Sequence, residues 1–417
     1  MFSTDRSGAE TWECVARSNP QAQILQAMKG MKTLRSGRNR RKWIYVLLLM
    51  GLLGLSGCGS PSSASVEMSS QTELVKTGSM ELQYAENFAV DYYEDGYKML
   101  TTLPDSKRYL LVPEGQPVPR GLDEDVSILQ EPLQNIYLVA SGAMDMFASL
   151  DAVDQIRFSG QKQENWYIQT AKDAMAAGDM IYAGKYSKPD YELLVSEGCD
   201  LAIENRMITH SPEVVEMLQS FDIPVMIEYS SYEKHPLGKV EWVKFFGALT
   251  GKEAEAEETF AEQTEILEEV ESGEKTGKTI AFFYVTSNGL IQVRQSTDYI
   301  PKLIELAGGR YIFEDLEDSG SGRSTLNMPV EDFYAGAKDA DILIYNSSID
   351  GGVTTLDELI GKCNILKDFK AVQEGQVYCT TNDMYQQSMA IGYLLQDMHM
   401  VLTDDDTAKL RYLFLLQ

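Results

Sequence analysis

Residues 237–271 read LGKVEWVKFFGALTGKEAEAEETFAEQTEILEEVE and predict two helices in series. Four apolar residues of the first helix recur at helical spacing: Val240, Val243, Phe246 and Leu249. Gly251 breaks that pattern, and a second helical stretch, rich in Ala and Glu, runs from 252 to 271 and ends at Ser272-Gly273. A helix of about 20 residues is roughly 30 Å long. We expect this stiff stretch to join two folded halves of the chain.

The half before this stretch alternates short apolar runs with helical patterns. The run 136–139 suits a buried parallel strand and leads through Ser141-Gly142 into a helix at 143–150. The alternation of strands and helices continues, with helices predicted at 191–198 and from Pro212, and strands predicted at 200–203 and 223–227. Further upstream, residues 88–93, the turn Asp95-Gly96 and residues 108–113 predict an antiparallel hairpin.

The half after this stretch repeats the pattern. Strands are predicted at 278–285, 340–345 and 376–379, and helices at 298–307, 331–338, 356–361 and 387–402. The predicted fold class is therefore α/β, with two α/β lobes that have central, mainly parallel sheets and are joined by a long rigid linking helix.

The N-terminal segment carries an export signal. A cluster of basic residues at 35–42 precedes the thirteen mostly apolar residues 43–55, which are too few to span a bilayer, since that takes about 20. Cys58 follows directly after Ser56-Gly57, an arrangement that resembles a bacterial lipoprotein signal, in which the cysteine thiol is lipidated after cleavage. A plain cleaved signal peptide with an incidental cysteine is the alternative. The small polar residues 59–65 fit a flexible tether.

These patterns divide the chain into five segments. They are a dispensable extension plus signal peptide at 1–57, the lipidated cysteine and tether at 58–79, an N-terminal α/β lobe at 80–233, linking helices at 234–273 and a C-terminal α/β lobe at 274–417.

The charge balance excludes some partners. The chain has 36 basic and 63 acidic residues and a formal net charge of −27. Such a polyanion will not bind nucleic acid through phosphate contacts, and anionic lipid will repel it. We therefore expect membrane attachment through the lipid on Cys58 only.

Signatures of catalysis and of resident metals are missing from the sequence. His210, His235 and His399 are too scattered to build a zinc site, and neither a nucleophile elbow nor a Gly-rich phosphate loop is present. The three cysteines after Cys58 form no disulfide framework, although a disulfide between Cys363 and Cys379 stays open in an exported protein. We therefore expect a protein that is not an enzyme, with no catalytic residue, metal site or cofactor.

Several phrases, in their order and spacing, carry a resemblance that covers about residues 80–402. They are Asn135 to Ser141, Pro189 to Leu194, Gly198 to Ile203, Ile223-Pro224-Val225, His235 to Gly238, Leu306 to Gly309 and Val330-Glu331-Asp332. Together with the lipoprotein signal they resemble the helical-backbone substrate-binding proteins of ABC importers for cobalamin, ferric siderophores and haem. The resemblance implies that a small metal chelate binds between the two lobes, either an iron–siderophore complex, haem or cobalamin.

The resemblance also implies a partner and a place in the cell. The partner is the permease dimer of an ABC importer with its ATPase, and by position Glu192 and Glu331, one on each lobe, match the acidic residues that dock on it. An ordinary solvated glutamate is the alternative for each. Because a tethered receptor is most useful where no outer membrane confines a free one, we favour the outer face of the cytoplasmic membrane in a Gram-positive-type envelope.

In that family, loops that follow the carboxyl ends of the strands line the ligand cleft. The candidate ligand-binding residues are Ser141, Trp166, Asn205, Arg206, Tyr232, Tyr284, Arg294 and Tyr385. Aromatic groups suit the faces of a chelate or macrocycle, and arginine suits anionic oxygens. As alternatives, Arg206 and Arg294 pair with surplus carboxylates, and Trp166 and Tyr385 pack the lobes.

Two other classes of protein are alternatives to the hypothesis of an importer's substrate-binding protein. A lipid-anchored enzyme or metallocofactor-handling protein on the same plan needs a cysteine or histidine cluster in the cleft. Cys199 precedes a predicted strand and therefore lies at the wrong end of the sheet. A surface sensor or adhesin would instead expose aromatic patches outside the cleft.

Overall fold

A computed structural model describes residues 74–317, 323–347, 352–405 and 407–417. The predicted signal peptide, Cys58 and most of the tether lie outside these residues. Within them, no helix combines the length and the apolar character that crossing a membrane requires.

The chain first forms an N-terminal sheet, the five strands between residues 76 and 130. Its strands are β1 (Lys76–Ser79), β2 (Phe88–Tyr93), β3 (Lys98–Thr102), β4 (Lys107–Val112) and β5 (Val126–Gln130), in that spatial order. Neighbours are antiparallel except β4 and β5, which are parallel. The predicted hairpin was wrong in its pairing. The turn at Asp95-Gly96 is present, but β2 pairs with β3, and β4 lies on the other side of β3.

The first lobe is built on a parallel sheet. Its strands are β6 (Ile136–Leu138), β7 (Ile156–Ser159), β8 (Ile181–Tyr182), β11 (Leu201–Asn205) and β12 (Val225–Glu228), in the order β12-β11-β6-β7-β8, and β9 (Gly184–Lys185) pairs with β10 (Lys188–Pro189) beside it. Its helices are α1 (Ala143–Ser149), α2 (Gln169–Ala177), α3 (Tyr191–Glu197) and α4 (Pro212–Ser220). Asp190 caps α3 by accepting from the Leu193 N–H at 3.1 Å, and Gly198 ends it at φ 78°.

The two linking helices are α5 (Pro236–Thr250) and α6 (Glu253–Glu271), close to their predicted bounds. Every residue of α5 from 236 to 249 is buried, so this helix is part of the core and not an exposed strut. Gly247 lets α6 approach closely, since a Cβ there would lie 2.6 Å from the Cβ of Ala256. On α6, Gln263 accepts from the Gly392 N–H at 3.0 Å, which ties the helix to the second lobe.

The second lobe has a mixed sheet with a parallel centre. Its strands are β13 (Thr279–Val285), β14 (Ile291–Arg294), β15 (Arg310–Tyr311), β16 (Thr325–Met328), β17 (Ile342–Tyr345), β18 (Val377–Thr380) and β19 (Leu413–Leu415), in the order β16-β14-β13-β17-β18-β19, with β15 also pairing with β13. Its helices are α7 (Tyr299–Leu306), α8 (Val330–Ala337), α9 (Leu356–Lys362), α10 (Lys370–Gln373) and α11 (Ile391–Thr403). The predicted strands form the parallel centre β13-β17-β18, and the antiparallel margins β14, β16 and β19 were not predicted. The α/β fold class is confirmed.

One continuous apolar core connects all of these parts. It runs from Phe88 in the N-terminal sheet through Trp242 and Phe246 of α5 to Ile304 and Leu395 of the second lobe. Because burial of apolar surface is the main force that stabilises a fold, the lobes are held to the linking helices by their cores as well as by the chain.

Two buried carboxylates of the 233–241 region hold the segment that leads into β2. Glu241, which has no exposed surface, accepts from the N–H groups of Gln83, Tyr84 and Ala85 at 2.8 to 3.2 Å. Glu233 accepts from Glu86 N at 2.8 Å, from Asn87 N at 3.0 Å and from the Trp242 indole at 2.8 Å. Two carboxylate side chains therefore accept hydrogen bonds from five consecutive backbone N–H groups. Lys244, 3.6 Å from Glu241, supplies a positive charge nearby.

We expect Glu241→Ala to destabilise the protein by about 3 kcal/mol or more, because removing one member of a buried charged network leaves its partners unpaired. Chemical denaturation measures the change in the free energy of unfolding. The control is Glu257→Ala, since Glu257 is 61% exposed and also contacts Lys244. Equal losses in the two variants would contradict a special role for Glu241.

Candidate functional site

The carboxyl edge of the first-lobe sheet contains a topological switch point. From β6 the chain continues to β7 and β8 on one side, whereas β11 and β12 lie on the other. The loops after β6 and β11 therefore part from one another and leave a crevice between them, the usual place for a ligand in an open α/β sheet. Ser141 follows β6, and Asn205-Arg206 ends β11, so three of the predicted residues lie at this edge.

Arg206 and Tyr232 form a stacked pair at the same edge. The Arg206 guanidinium lies 4.6 Å from the centroid of the Tyr232 ring, and 37% of Tyr232 is exposed. Tyr229 contacts the same tyrosine edge-on at 6.5 Å between ring centroids. The Asn205 side chain accepts from the Met207 N–H at 2.8 Å and so fixes the turn that carries Arg206. We call Arg206 and Tyr232 the cation–aromatic platform.

On the second lobe, Arg294 and Tyr385 are brought together. Arg294 ends β14, is only 7% exposed and lies 3.3 Å from Asp298. Its guanidinium donates to the Tyr385 hydroxyl, which also accepts from the Asn346 amide at 2.6 Å. The carboxylate that pairs with Arg294 is thus the buried Asp298 and not one of the surplus surface carboxylates, and Arg294 also positions Tyr385.

The two lobes touch along residues 385–389. A Cβ on Gly142 would lie 3.0 Å from the Ser388 hydroxyl. The Gln386 side chain accepts from Tyr167 N and donates to Asn165 O, both at 2.8 Å. The Asp145 carboxylate accepts from Met389 N at 2.7 Å, and burial raises the pKa of Asp145 to about 6. The predicted cleft residues Ser141 and Tyr385 thus lie on facing sides of this contact.

Two predicted residues have other surroundings. Trp166 is 1% exposed, and its indole donates to the Ser159 hydroxyl at 3.0 Å. It packs in the core, which is the alternative named above. Tyr284 is partly exposed near the carboxyl end of β13 and packs against Tyr345 at 6.3 Å between ring centroids. The docking candidates Glu192 and Glu331 are exposed, in the first turns of α3 and α8.

Sequence reasoning missed Lys239, on the first turn of α5. It is 3% exposed, and its Nζ lies 3.4 Å from the Ser231 hydroxyl and 5.2 Å from the centroid of the Tyr299 ring. Burial lowers the pKa of Lys239, against the opposing effect of Glu228. A signal was present, because Lys239 shares a helical stripe with Trp242, Val243 and Phe246 and is therefore charged at a position where the pattern expects an apolar residue.

Glu204 is a second buried group, placed directly before Asn205 on β11. It has no exposed surface, and neither carboxyl oxygen finds a hydrogen-bond partner among the described residues. Burial raises its pKa to about 8, so the group holds its proton at neutral pH.

Within the described ranges, no group of three His, Cys, Asp or Glu side chains is arranged to hold a metal ion. Cys199, Cys363 and Cys379 are not disulfide-bonded, so the disulfide that the sequence left open is not formed. Burial raises the pKa of Cys199 to about 12, which keeps this thiol protonated.

The model of the family described as periplasmic binding protein matches residues 140–384, well over half of the chain. The chain belongs to the periplasmic binding protein family. The matched range contains the first lobe from the end of β6, the linking helices and most of the second lobe, and the N-terminal sheet precedes it. This periplasmic binding protein therefore binds a solute and is not an enzyme, and the family resemblance read from the sequence is confirmed.

The chain is also similar to curated relatives and, in its fold, to solved structures. An uncharacterized lipoprotein of Methanocaldococcus jannaschii is 24% identical over 377 residues, which cover 82% of this chain and 87% of the relative. A second one from the same organism is 23% identical and covers 87% of this chain and 95% of the relative. A structure described as a possible iron-binding, periplasmic solute-binding protein of Staphylococcus epidermidis has a TM-score of 0.51 at 17% identity and covers 64% of this chain and 98% of that one.

Glu204 makes the stability of this periplasmic binding protein depend on pH. Its carboxyl pKa rises from an ordinary 4.5 to about 8 on folding, so the folded chain binds the proton more tightly. The contribution of this group is greatest below pH 4.5 and is lost as the pH rises towards 8, with a limiting slope of about 1.4 kcal/mol per pH unit. We expect Glu204→Gln to flatten this part of the profile, measured by denaturation between pH 5 and 8. Glu213→Gln, at an exposed position on α4, is the control, and an unchanged slope in Glu204→Gln would contradict the assignment.

Proposed function

We propose that the protein captures an iron chelate, either a ferric siderophore or haem, in the crevice between its lobes and delivers it to the permease dimer of an ABC importer. The observation that carries this proposal is the cation–aromatic platform of Arg206 and Tyr232 at the topological switch point. A guanidinium and an exposed ring suit the anionic oxygens and flat faces of an organic chelate.

The side chains of the crevice suit a metal ion that is enclosed in an organic chelator better than a bare metal ion. A chelator or macrocycle supplies its own ligands to the metal, so the protein needs only to recognise the organic shell. Clustered metal-binding side chains are not found in the part of the chain that the structure describes. A structure with a TM-score of 0.50 is described as a periplasmic haem-binding protein of Vibrio cholerae, and the Staphylococcus epidermidis neighbour is described as possibly binding iron. Cobalamin remains a third ligand to test.

The membrane attachment that we propose is a lipid on Cys58. Two relatives are described as lipoproteins, and the small polar residues after Cys58 suit a tether. The strongly acidic chain would be repelled by anionic lipid, which leaves the lipid group as the attachment. We place the folded part outside the cytoplasm, at the outer face of the membrane, in an envelope of the Gram-positive type.

We also propose that Glu192 and Glu331 dock on the permease. Each is exposed in the first turn of a helix, and the two helices belong to different lobes. Two carboxylates on separate lobes can contact both halves of a two-fold symmetric permease, and complementary charges speed the encounter.

The ligand is tested by thermal unfolding of the membrane-extracted protein with ferrichrome, ferric enterobactin, ferric citrate, haem and cobalamin. We expect one iron-containing compound to stabilise the protein, by about 2.7 kcal/mol at 100 times its dissociation constant. Stabilisation by cobalamin alone would replace the iron chelate as the ligand. No shift with any compound would contradict the proposed function.

Docking is tested by the double variant Glu192→Arg with Glu331→Arg. We expect uptake of the identified ligand by cells to be lost, while its affinity for the purified protein stays unchanged. The control is Glu258→Arg with Glu265→Arg, which makes the same change in charge at exposed positions on α6. A matching loss of affinity, or uptake equal to that of the control, would refute the docking assignment. Normal uptake in cells that lack the protein would favour the sensor alternative.

A further inference from the structure

We propose that Lys239, together with the hydroxyl groups of Ser230 and Ser231, forms an anion site at the floor of the crevice, and that it takes a carboxylate or similar oxyanion of the ligand. This inference rests on the proposed function and narrows it to chelates that present a free anionic group.

Lys239 lies in the interior without a carboxylate at ion-pair distance, and Glu228, Asp298 and Asp145 act on it only from farther away. Its ammonium has three donors, and its polar contact is a long one, 3.4 Å to the Ser231 hydroxyl. The face of Tyr299 lies 5.2 Å away. Across the described ranges, no carboxylate approaches the Lys239 nitrogen within the 4.0 Å of an ion pair. A buried ammonium is normally paired at contact distance, and the Lys239 side chain, which is 97% buried, has no such carboxylate partner within the chain.

The two serines point to where that anion binds. Ser230 is 1% exposed, and its hydroxyl lacks a hydrogen-bond partner among the residues described. Ser231, which contacts Lys239, is exposed. Both follow β12, at the same carboxyl edge of the sheet as Ser141 and Arg206. Ser231 therefore links the buried Lys239 to the protein surface, and the buried Ser230 directly precedes it in the chain.

Nearby carboxylates do not fill this role, because each has a partner of its own. Glu228 accepts from Ser230 N at 2.6 Å, and Asp145 accepts from Met389 N at 2.7 Å. Asp298 accepts from Ile300 N at 2.9 Å and lies 3.3 Å from Arg294, which adds a second positive charge near Lys239. Burial raises the pKa of all three carboxyl groups and so weakens them as counter-ions.

The depth of Lys239 below the platform indicates the kind of ligand. Tyr232, which stacks with Arg206, is 37% exposed, whereas Lys239, which contacts the neighbouring Ser231, is only 3% exposed, and we therefore assign Lys239 to the deeper part of the crevice. An iron chelate that retains free carboxylates, such as a ferric carboxylate complex or haem with its propionates, can reach the floor with one acid group. An electrically neutral trihydroxamate complex has no group to offer there.

The test compares ferric citrate, haem and ferrichrome as probes in titration calorimetry with the membrane-extracted protein. We expect an acid-bearing probe to bind and its affinity to fall about tenfold or more in Lys239→Met, because a charge-assisted hydrogen bond is lost. Lys239→Arg should retain part of the affinity. Ser230→Ala, which removes an unpartnered hydroxyl without burying a new charge, should weaken binding with the melting temperature unchanged. Lys234→Met is the control, since Lys234 is 69% exposed on the same segment.

The outcomes separate this inference from the proposed function. Binding of an acid-bearing probe that Lys239→Met and Ser230→Ala both weaken supports the anion site. Affinity unchanged in both variants would overturn it, even if Lys239→Met lowers the melting temperature. Tight binding of ferrichrome alone would also overturn it and would leave the proposed function standing. Failure of every probe to bind, cobalamin and ferric enterobactin included, would remove the proposed function and this inference together.

Discussion

Two buried carboxylates, Glu233 and Glu241, set the constraint on which the other parts depend. They accept five consecutive backbone N–H groups from residues 83–87 and so fasten the N-terminal sheet to α5. A buried charge is tolerated only where its hydrogen bonds are satisfied, and here the backbone itself satisfies them. Because α5 is buried along residues 236–249, that fastening also fixes the helix against which both lobes pack.

One part of the candidate site stands on the buried helix α5, and the other part stands on loops. Lys239 lies one turn into that helix, two residues before Glu241, so the floor of the crevice moves only if the helix does. The platform of Arg206 and Tyr232, in contrast, stands on short turns after β11 and β12. A rigid floor and an adjustable mouth allow the family to keep one architecture while the chemistry of the bound solute changes.

The sequence was most informative where a pattern is long or both faces of an element are buried. The bounds of α5 and α6 could be predicted because their periodicity runs for about four to five turns. Strand β3, with the sequence KMLTT, and the margin strands β14 and β16 are short and carry polar residues, so their pairing depends on neighbours that a local pattern does not contain.

The same limit applies to the prediction of the candidate site. That Ser141, Asn205 and Arg206 lie at the carboxyl edge of the first-lobe sheet could be predicted from their positions after β6 and at the end of β11. Three features of the site depend on tertiary contacts that a local pattern cannot show: the packing of Trp166 on Ser159, the pairing of Arg294 with Asp298, and the lack of an ion-pair partner for Lys239. The sequence did contain one sign of the last feature, because Lys239 is a charged residue in the apolar stripe of α5.

The bridge made by Gln386 has a consequence for the speed of exchange. Its side chain spans Tyr167 and Asn165 with two hydrogen bonds, and the Asp145 carboxylate holds Met389 beside it. Swinging the lobes apart would expose the shared apolar core, and releasing residues 385–389 would break these hydrogen bonds and expose Met389, a buried member of that core. Breaking this contact during exchange would slow the entry and the release of a solute together, because both pass the same barrier, and would leave the affinity little changed.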